Sequence, residues 1–162
     1  MKWSGEMFKF VRFLITHGIA LALGFALGIY LLPILVAPEG PSDAEVSSST
    51  SQAMFSAQFR KDLPGSDFLH WGEGTISISA KQIGFMGSLA PGPDYRLYLT
   101  RKLVVNEQEF LNIKSESVVV GEVKTFSNFI LPMPDSINPS EYNAVVVWCE
   151  TFGEFITAAK YQ

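Results

Sequence analysis

The sequence is poor in the residues on which most enzyme chemistry depends. Among 162 residues there is one cysteine, Cys149, and there are two histidines, His17 and His70. A serine or cysteine nucleophile needs a base oriented by a third group, and beyond the apolar N-terminal run only His70 offers one. One His and one Cys are also too few for a zinc site of the usual composition, so no metal is expected. Carboxylates are plentiful, but no spacing singles out a glycosidase-like pair. Basic residues number 12 against 16 acidic ones, for a formal net charge of -4, and they form no cluster. Nucleic acid is therefore not an expected partner, since its phosphates require grouped Lys and Arg. A lone cysteine cannot close an internal disulfide. Binding, structural or redox roles remain.

What the sequence does have is one long apolar run. Residues 13–37 read FLITHGIALALGFALGIYLLPILVA, with no charge except a potential one on His17. As a helix this segment is roughly 37 Å long, enough to cross a hydrocarbon core of about 30 Å with some tilt. A cleaved signal has a shorter apolar stretch and a small-x-small end; here Leu35 and Pro38 spoil that site. The run is read as a retained transmembrane helix. Lys2, Lys9 and Arg12 precede it, whereas Glu39, Asp43 and Glu45 follow it and no basic residue appears until Arg60. This asymmetry predicts a single-pass protein of the inner (cell) membrane, with residues 1–12 cytoplasmic and everything after the helix periplasmic or extracellular. Ala20, Gly24 and Gly28 recur every four residues, a spacing that lets two helices approach closely and offers a route to a homodimer.

Residues 38–53, PEGPSDAEVSSSTSQA, contain little that could be buried and are expected to be a flexible linker. Residues 54–162 form the exported domain. DYRLYLT alternates Tyr95, Leu97 and Leu99 against Arg96, Tyr98 and Thr100, and GTISIS turns Ile76 and Ile78 inward, both with the period of a strand. SVVVGEV and FSNFIL add short strands, and the stretch from Tyr142 to Trp148, apolar on both faces, reads as a central one. Turns rich in Gly and Pro separate these runs. The fold class expected is all-β, an antiparallel sandwich of Ig-like or jelly-roll-like type. Phe152, Phe155, Ile156 and Ala159 sit at helical spacing, but a final strand from Phe155 onward is preferred.

Several residues are candidates for chemistry. His70 suits an axial ligand, a proton partner or a hydrogen-bonded turn residue, and Met54, Met86 and Met133 suit metal ligands or core filling. Cys149 shares a face with Val145 and Val147, which fits an inert buried thiol. Glu150 and Gly153 mark the end of that strand, where a sandwich opens to solvent. The pattern alone leaves both readings open.

The markers Phe59, His70, Gly74-Thr75-Ile76, Gly92-Pro93-Asp94 before YRLYL, Gly121, Leu131-Pro132 and YNAVVVWCETFGEF occur in that order. In this the chain resembles the exported "DM-thirteen" domains, described as electron-transfer domains often found beside DOMON domains, here in a membrane-anchored single-domain form. The last marker is the most specific, joining Trp148 and Cys149 to Phe152. The resemblance implies a β-rich domain whose cysteine takes part in redox chemistry, as a naked thiol or by holding a group such as haem. Cys149 is then the redox thiol, with His70 as its partner or as a second haem ligand; the cofactor is left open between none and haem. A working thiol must exchange with a partner outside the chain or form a sulfenic acid, and its pKa is then expected below the free value, with His70 the most obvious candidate for lowering it. The competing expectation is a β-sandwich that binds a protein or glycan through HWGEG and LAPGPD, with Cys149 as core.

Overall fold

The computed structural model describes residues 5–162. It falls into two units, one ending at Val36 and the other running Ala37–Gln162.

The first unit is a single helix, α1 (Gly5–Val36), the one helix among the described residues long and apolar enough to cross a membrane. It begins ahead of the apolar run. Residues 5–12 contain no helix breaker after Gly5, and Lys9 pairs with Glu6 at 2.7 Å one turn away, a spacing that supports helix. The cytoplasmic segment expected over 1–12 is thus helical from Gly5; residues 1–4, Lys2 included, lie outside the described residues.

The second unit is a β-sandwich. Strands β1 (Phe55–Phe59), β2 (Gly72–Ile78), β3 (Gln82–Leu89) and β6 (Phe129–Pro132) form one antiparallel sheet in the order β1-β2-β3-β6. β5 (Val118–Val123), β4 (Tyr95–Thr100), β7 (Ala144–Cys149) and β8 (Glu154–Lys160) form the other in the order β5-β4-β7-β8. The preferred final strand is therefore present as β8, and β7 is interior to its sheet. Between the sheets lies the main core: Phe59, Ile76, Ile78, Ile83 and Phe85 meet Leu97, Leu99, Val145, Val147 and Ile156, all essentially inaccessible. Alternation along each strand puts these residues on one side, and burying them drives the sheets together.

Two features depart from the expectations. The segment expected to be a flexible linker contains α2 (Asp43–Ser49), capped by reciprocal hydrogen bonds between Ser42 and Glu45. Its Val46 is buried over β3, where Gly84 leaves room for Val46 and Thr50. Asn128 donates to the Pro41 carbonyl at 3.1 Å and to Asp43 at 2.6 Å. One apolar side chain and a closed capping box suffice to fold a stretch otherwise too polar to form a core of its own. The other departure is on the outer face of β4 and β7. The half-buried pattern expected of β4 is replaced by a second core, in keeping with the two apolar faces expected of β7, because α3 (Glu107–Ile113) covers that face and buries Tyr98, Val104, Phe110, Val146, Trp148 and Phe155.

Candidate functional site

Cys149 closes β7 on the inner face, 2% exposed, beside Val147 and opposite Tyr95 of β4 and Glu154 of β8. Its sulfhydryl donates to the carbonyl of Pro93 at 3.0 Å. The Gly92-Pro93-Asp94 turn and the end of β7 are joined further: the Glu150 N–H donates to the Asp94 carbonyl at 3.0 Å and Thr151 Oγ1 to Asp94 Oδ2 at 3.3 Å. Asp94 holds the left-handed conformation (φ 53°) that lets the chain double back over the cysteine. Gly92 is required for a different reason, since a Cβ there would lie 2.4 Å from the Tyr95 hydroxyl oxygen. Two stretches far apart in sequence thus meet at one sulfur.

The electrostatics at this sulfur run against a reactive thiolate. Burial pushes the Cys149 thiol up, and the backbone N–H groups of Phe152 and Thr151 only partly oppose it, while Asp94 and Glu154 push further up. The lowered pKa expected of a working thiol is not what the folded site provides, because desolvation penalises the anion and, among the described residues, no cation lowers it.

His70 lies elsewhere in the network. Its ring Nδ1 is 3.1 Å from Asp67 Oδ2, and the N–H groups of Leu69 and His70 donate to Asp67 Oδ1 at 2.7 and 2.8 Å. The hydrogen bond with His70 is the main reason that Asp67 titrates below the ordinary carboxylate range. His70 and Asp67 line an open cavity of about 400 Å³ together with Asn106, Glu107 and Glu154. Glu154 is the cross-strand neighbour of Cys149, so His70 and the cysteine approach the same strand end, but Cys149 is not on the cavity wall.

Haem does not fit between these residues. The sulfur of Cys149 is enclosed and already bonded to Pro93. Neither the cavity at His70 nor one of about 440 Å³ beside Arg101 and Ser117 is lined by the cysteine. Of the methionines, Met133 is buried in the main core, Met54 is exposed, and Met86 accepts a hydrogen bond from Ser47 at 3.7 Å.

The other sequence markers have structural assignments. Gly74 faces Gly87 across β2 and β3, and both have positive φ; a Cβ on Gly74 would lie 2.2 Å from the Met86 carbonyl oxygen. Only glycine fits such a crossing. Trp148 is buried on the outer face against Phe110, with ring centroids 4.9 Å apart. Phe152 is half exposed at the tip of the turn between β7 and β8, closed by the Gly153 N–H donating to the Cys149 carbonyl at 2.9 Å. Gly24 and Gly28 on α1 have open space around them.

A cluster that the sequence reading passed over lies directly behind the cysteine. The Tyr98 hydroxyl donates to Glu150 Oε1, and Lys114 Nζ donates to Glu150 Oε2 at 2.5 Å. No sequence signal brings these three together. Tyr98 and Glu150 are 52 positions apart, and the lysine arrives from the 3-10 turn at Lys114–Glu116.

With this geometry in view, the comparisons place the chain in a class of electron-carrying domains. Residues 58–161 match the family described as Electron transfer DM13, and the chain belongs to that family. No curated protein and no solved structure matches it. The matched span includes both the turn at residues 92–94 and the end of β7, so the meeting at Cys149 is made wholly within it.

Proposed function

We propose that this protein is a membrane-anchored, exported electron-transfer domain in which Cys149 is the redox group, kept guarded beneath the turn at residues 92–94. The observation that carries the reading is the Cys149 sulfhydryl bonded to the Pro93 carbonyl, where two stretches of the electron-transfer family's span converge. α1 anchors the chain, and the basic residues before it against the acidic ones after it put the N-terminus in the cytoplasm and the β domain on the far side of the inner membrane. Two copies pair through Ala20, Gly24 and Gly28.

In the guarded state the thiol is protonated and shielded. Opening of the turn releases the S–H···O bond and wets the sulfur, and the thiol then loses its proton to water. The thiolate attacks a disulfide of a partner protein, forming a mixed disulfide and expelling the partner's other sulfur as thiolate. With no second cysteine in the chain, a dithiol of a second partner protein resolves the mixed disulfide: its first thiolate displaces the first partner from Cys149, releasing that partner as a dithiol, and its second thiolate then frees Cys149 and closes the second partner's disulfide, so that two electrons pass from the second partner to the first. His70 acts, on this reading, from the neighbouring cavity as a docking or proton-accepting group.

The burial and raised pKa of Cys149 favour a second reading, a binding module for a protein or glycan with a structural cysteine. Alkylation of Cys149 in the full chain in detergent micelles separates the two. The guarded-thiol reading expects slow labelling of the folded protein that accelerates in Asp94→Ala, which loosens the turn. Labelling that begins only when denaturant unfolds the domain, in both forms, would establish the structural reading instead.

A further inference from the structure

The geometry points to a second electron-transfer site on the opposite face of β7: Tyr98 as a one-electron donor whose phenolic proton is received by Glu150. The site is built from the outer core. Tyr98 is 5% exposed, and its ring packs edge-on against Phe110 with centroids 5.1 Å apart. Phe110 in turn lies 4.9 Å from Trp148. The Tyr98 hydroxyl is bonded to a carboxylate that is itself held by Lys114, whose ammonium lies 5.8 Å from the Tyr98 ring centroid and 5.2 Å from that of Trp148. The Trp148 indole N–H is buried with no hydrogen-bond partner among the described residues. Arg96, paired with Asp94 at 3.1 Å, completes the charged surroundings.

The chemistry follows from one property of phenols. The neutral phenol gives up an electron with difficulty, but its radical cation is a very strong acid, so a base already hydrogen-bonded to the hydroxyl makes the oxidation feasible by taking the proton as the electron leaves. Burial and the bond to Glu150 hold Tyr98 as the neutral phenol at ordinary pH, so the proton is in place to be transferred. In the step proposed, a high-potential one-electron acceptor, an oxidised metal centre carried by a partner, takes one electron from Tyr98. The O–H bond breaks, the proton moves to Glu150, and a neutral phenoxyl remains beside a protonated carboxyl. Return of an electron restores the phenol and sends the proton back. Lys114 is a positioning residue, fixing the carboxylate against the hydroxyl. This site goes beyond the thiol reading and does not require Cys149 to react.

The test uses the full chain in detergent micelles and photogenerated tris(bipyridine)ruthenium(III) as the oxidant, with transient absorption and freeze-quench electron paramagnetic resonance as readouts. A neutral tyrosyl radical is expected in the natural sequence and equally in Cys149→Ser, so failure of the thiol reading leaves this outcome untouched. Tyr98→Phe is expected to lose most of the signal despite the four other tyrosines, and Glu150→Gln to slow radical formation several-fold. Incorporation of 3,5-difluorotyrosine at position 98 covers the case in which the phenylalanine variant does not fold, because fluorine splitting then locates the radical. An undiminished signal in folded Tyr98→Phe, an absence of fluorine splitting, or an unchanged rate in Glu150→Gln would each overturn the proposal.

Discussion

The two faces of β7 are equally buried and chemically opposite. The inner face packs Val145, Val147 and Cys149 into the sandwich with no cation against the sulfur among the described residues. The outer face packs Val146 and Trp148 under α3, and its rim holds the bonded set of Tyr98, Glu150 and Lys114. One strand thus separates a group whose ionisation the surroundings oppose from a group whose proton the surroundings are arranged to accept. Burial alone does not decide whether a residue is inert. What decides is whether a partner for the changed protonation state is present before the change occurs.

The largest expected effect is on the outer face. Trp148→Ala removes the side chain that fills the space between Phe110 and β7 and is expected to cost about 3–5 kcal/mol in denaturant unfolding; a cost below that of Cys149→Ala would show that α3 covers the sheet without supporting it. Cys149→Ala removes one buried sulfur and is expected to cost about 1–2 kcal/mol, with electron transfer lost on the thiol reading. The thiol's pKa is raised in the folded state, so its contribution is full at lower pH and declines as pH rises above about 8.5, where the unfolded thiol ionises. Urea titrations from neutral to alkaline pH should therefore converge between the natural chain and Cys149→Ala.

Glu150 carries the opposite sign. Burial pushes its carboxyl up, but the hydrogen bonds from Lys114 and Tyr98 outweigh this and the net shift is down. Its contribution is thus present above the unfolded carboxylate pKa of about 4.3 and is lost as pH falls through the lower folded value. Glu150→Gln should cost about 1 kcal/mol at neutral pH and flatten the stability profile on the acid side. The smallest effect is expected for Phe152→Ala, within about 0.5 kcal/mol of the natural chain in thermal or urea unfolding, since the ring is half exposed at a turn. A larger loss would mean that the turn, and not the strand, holds Cys149 in place.

The two short helices α2 and α3 show no strong apolar period, although each carries a legible start signal. Ser42 with Glu45, and Asn106 with Glu109, both place a capping residue three positions ahead of a glutamate, the spacing of a capping box. Low apolar content masked the first and a single apolar face the second. Without α3 the outer face of β4 reads as half exposed, and the Tyr98 cluster that α3 covers has no local signature. Missing α2 put the start of the β domain at residue 54, whereas chain packed on the sandwich already begins at Gly40, where a Cβ would lie 2.5 Å from the Asn128 carbonyl oxygen.

The sequence by itself determined the long apolar helix, the alternating strands, the all-β class and the face that Cys149 shares with Val145 and Val147. Each of these rests on a period or a length repeated along neighbouring residues, and such local regularities survive without knowledge of the rest of the chain. Only the tertiary structure decided that the Cys149 sulfhydryl donates a hydrogen bond to the Pro93 carbonyl, that His70 is bonded to Asp67 instead of the thiol, and that Tyr98, Lys114 and Glu150 meet. Those contacts join residues 3 to 56 positions apart. Apart from the local Asp67–His70 turn, their existence depends on how β4 pairs with β7 and where α3 lies, and no local pattern encodes a distance between strands that meet only after the core has formed.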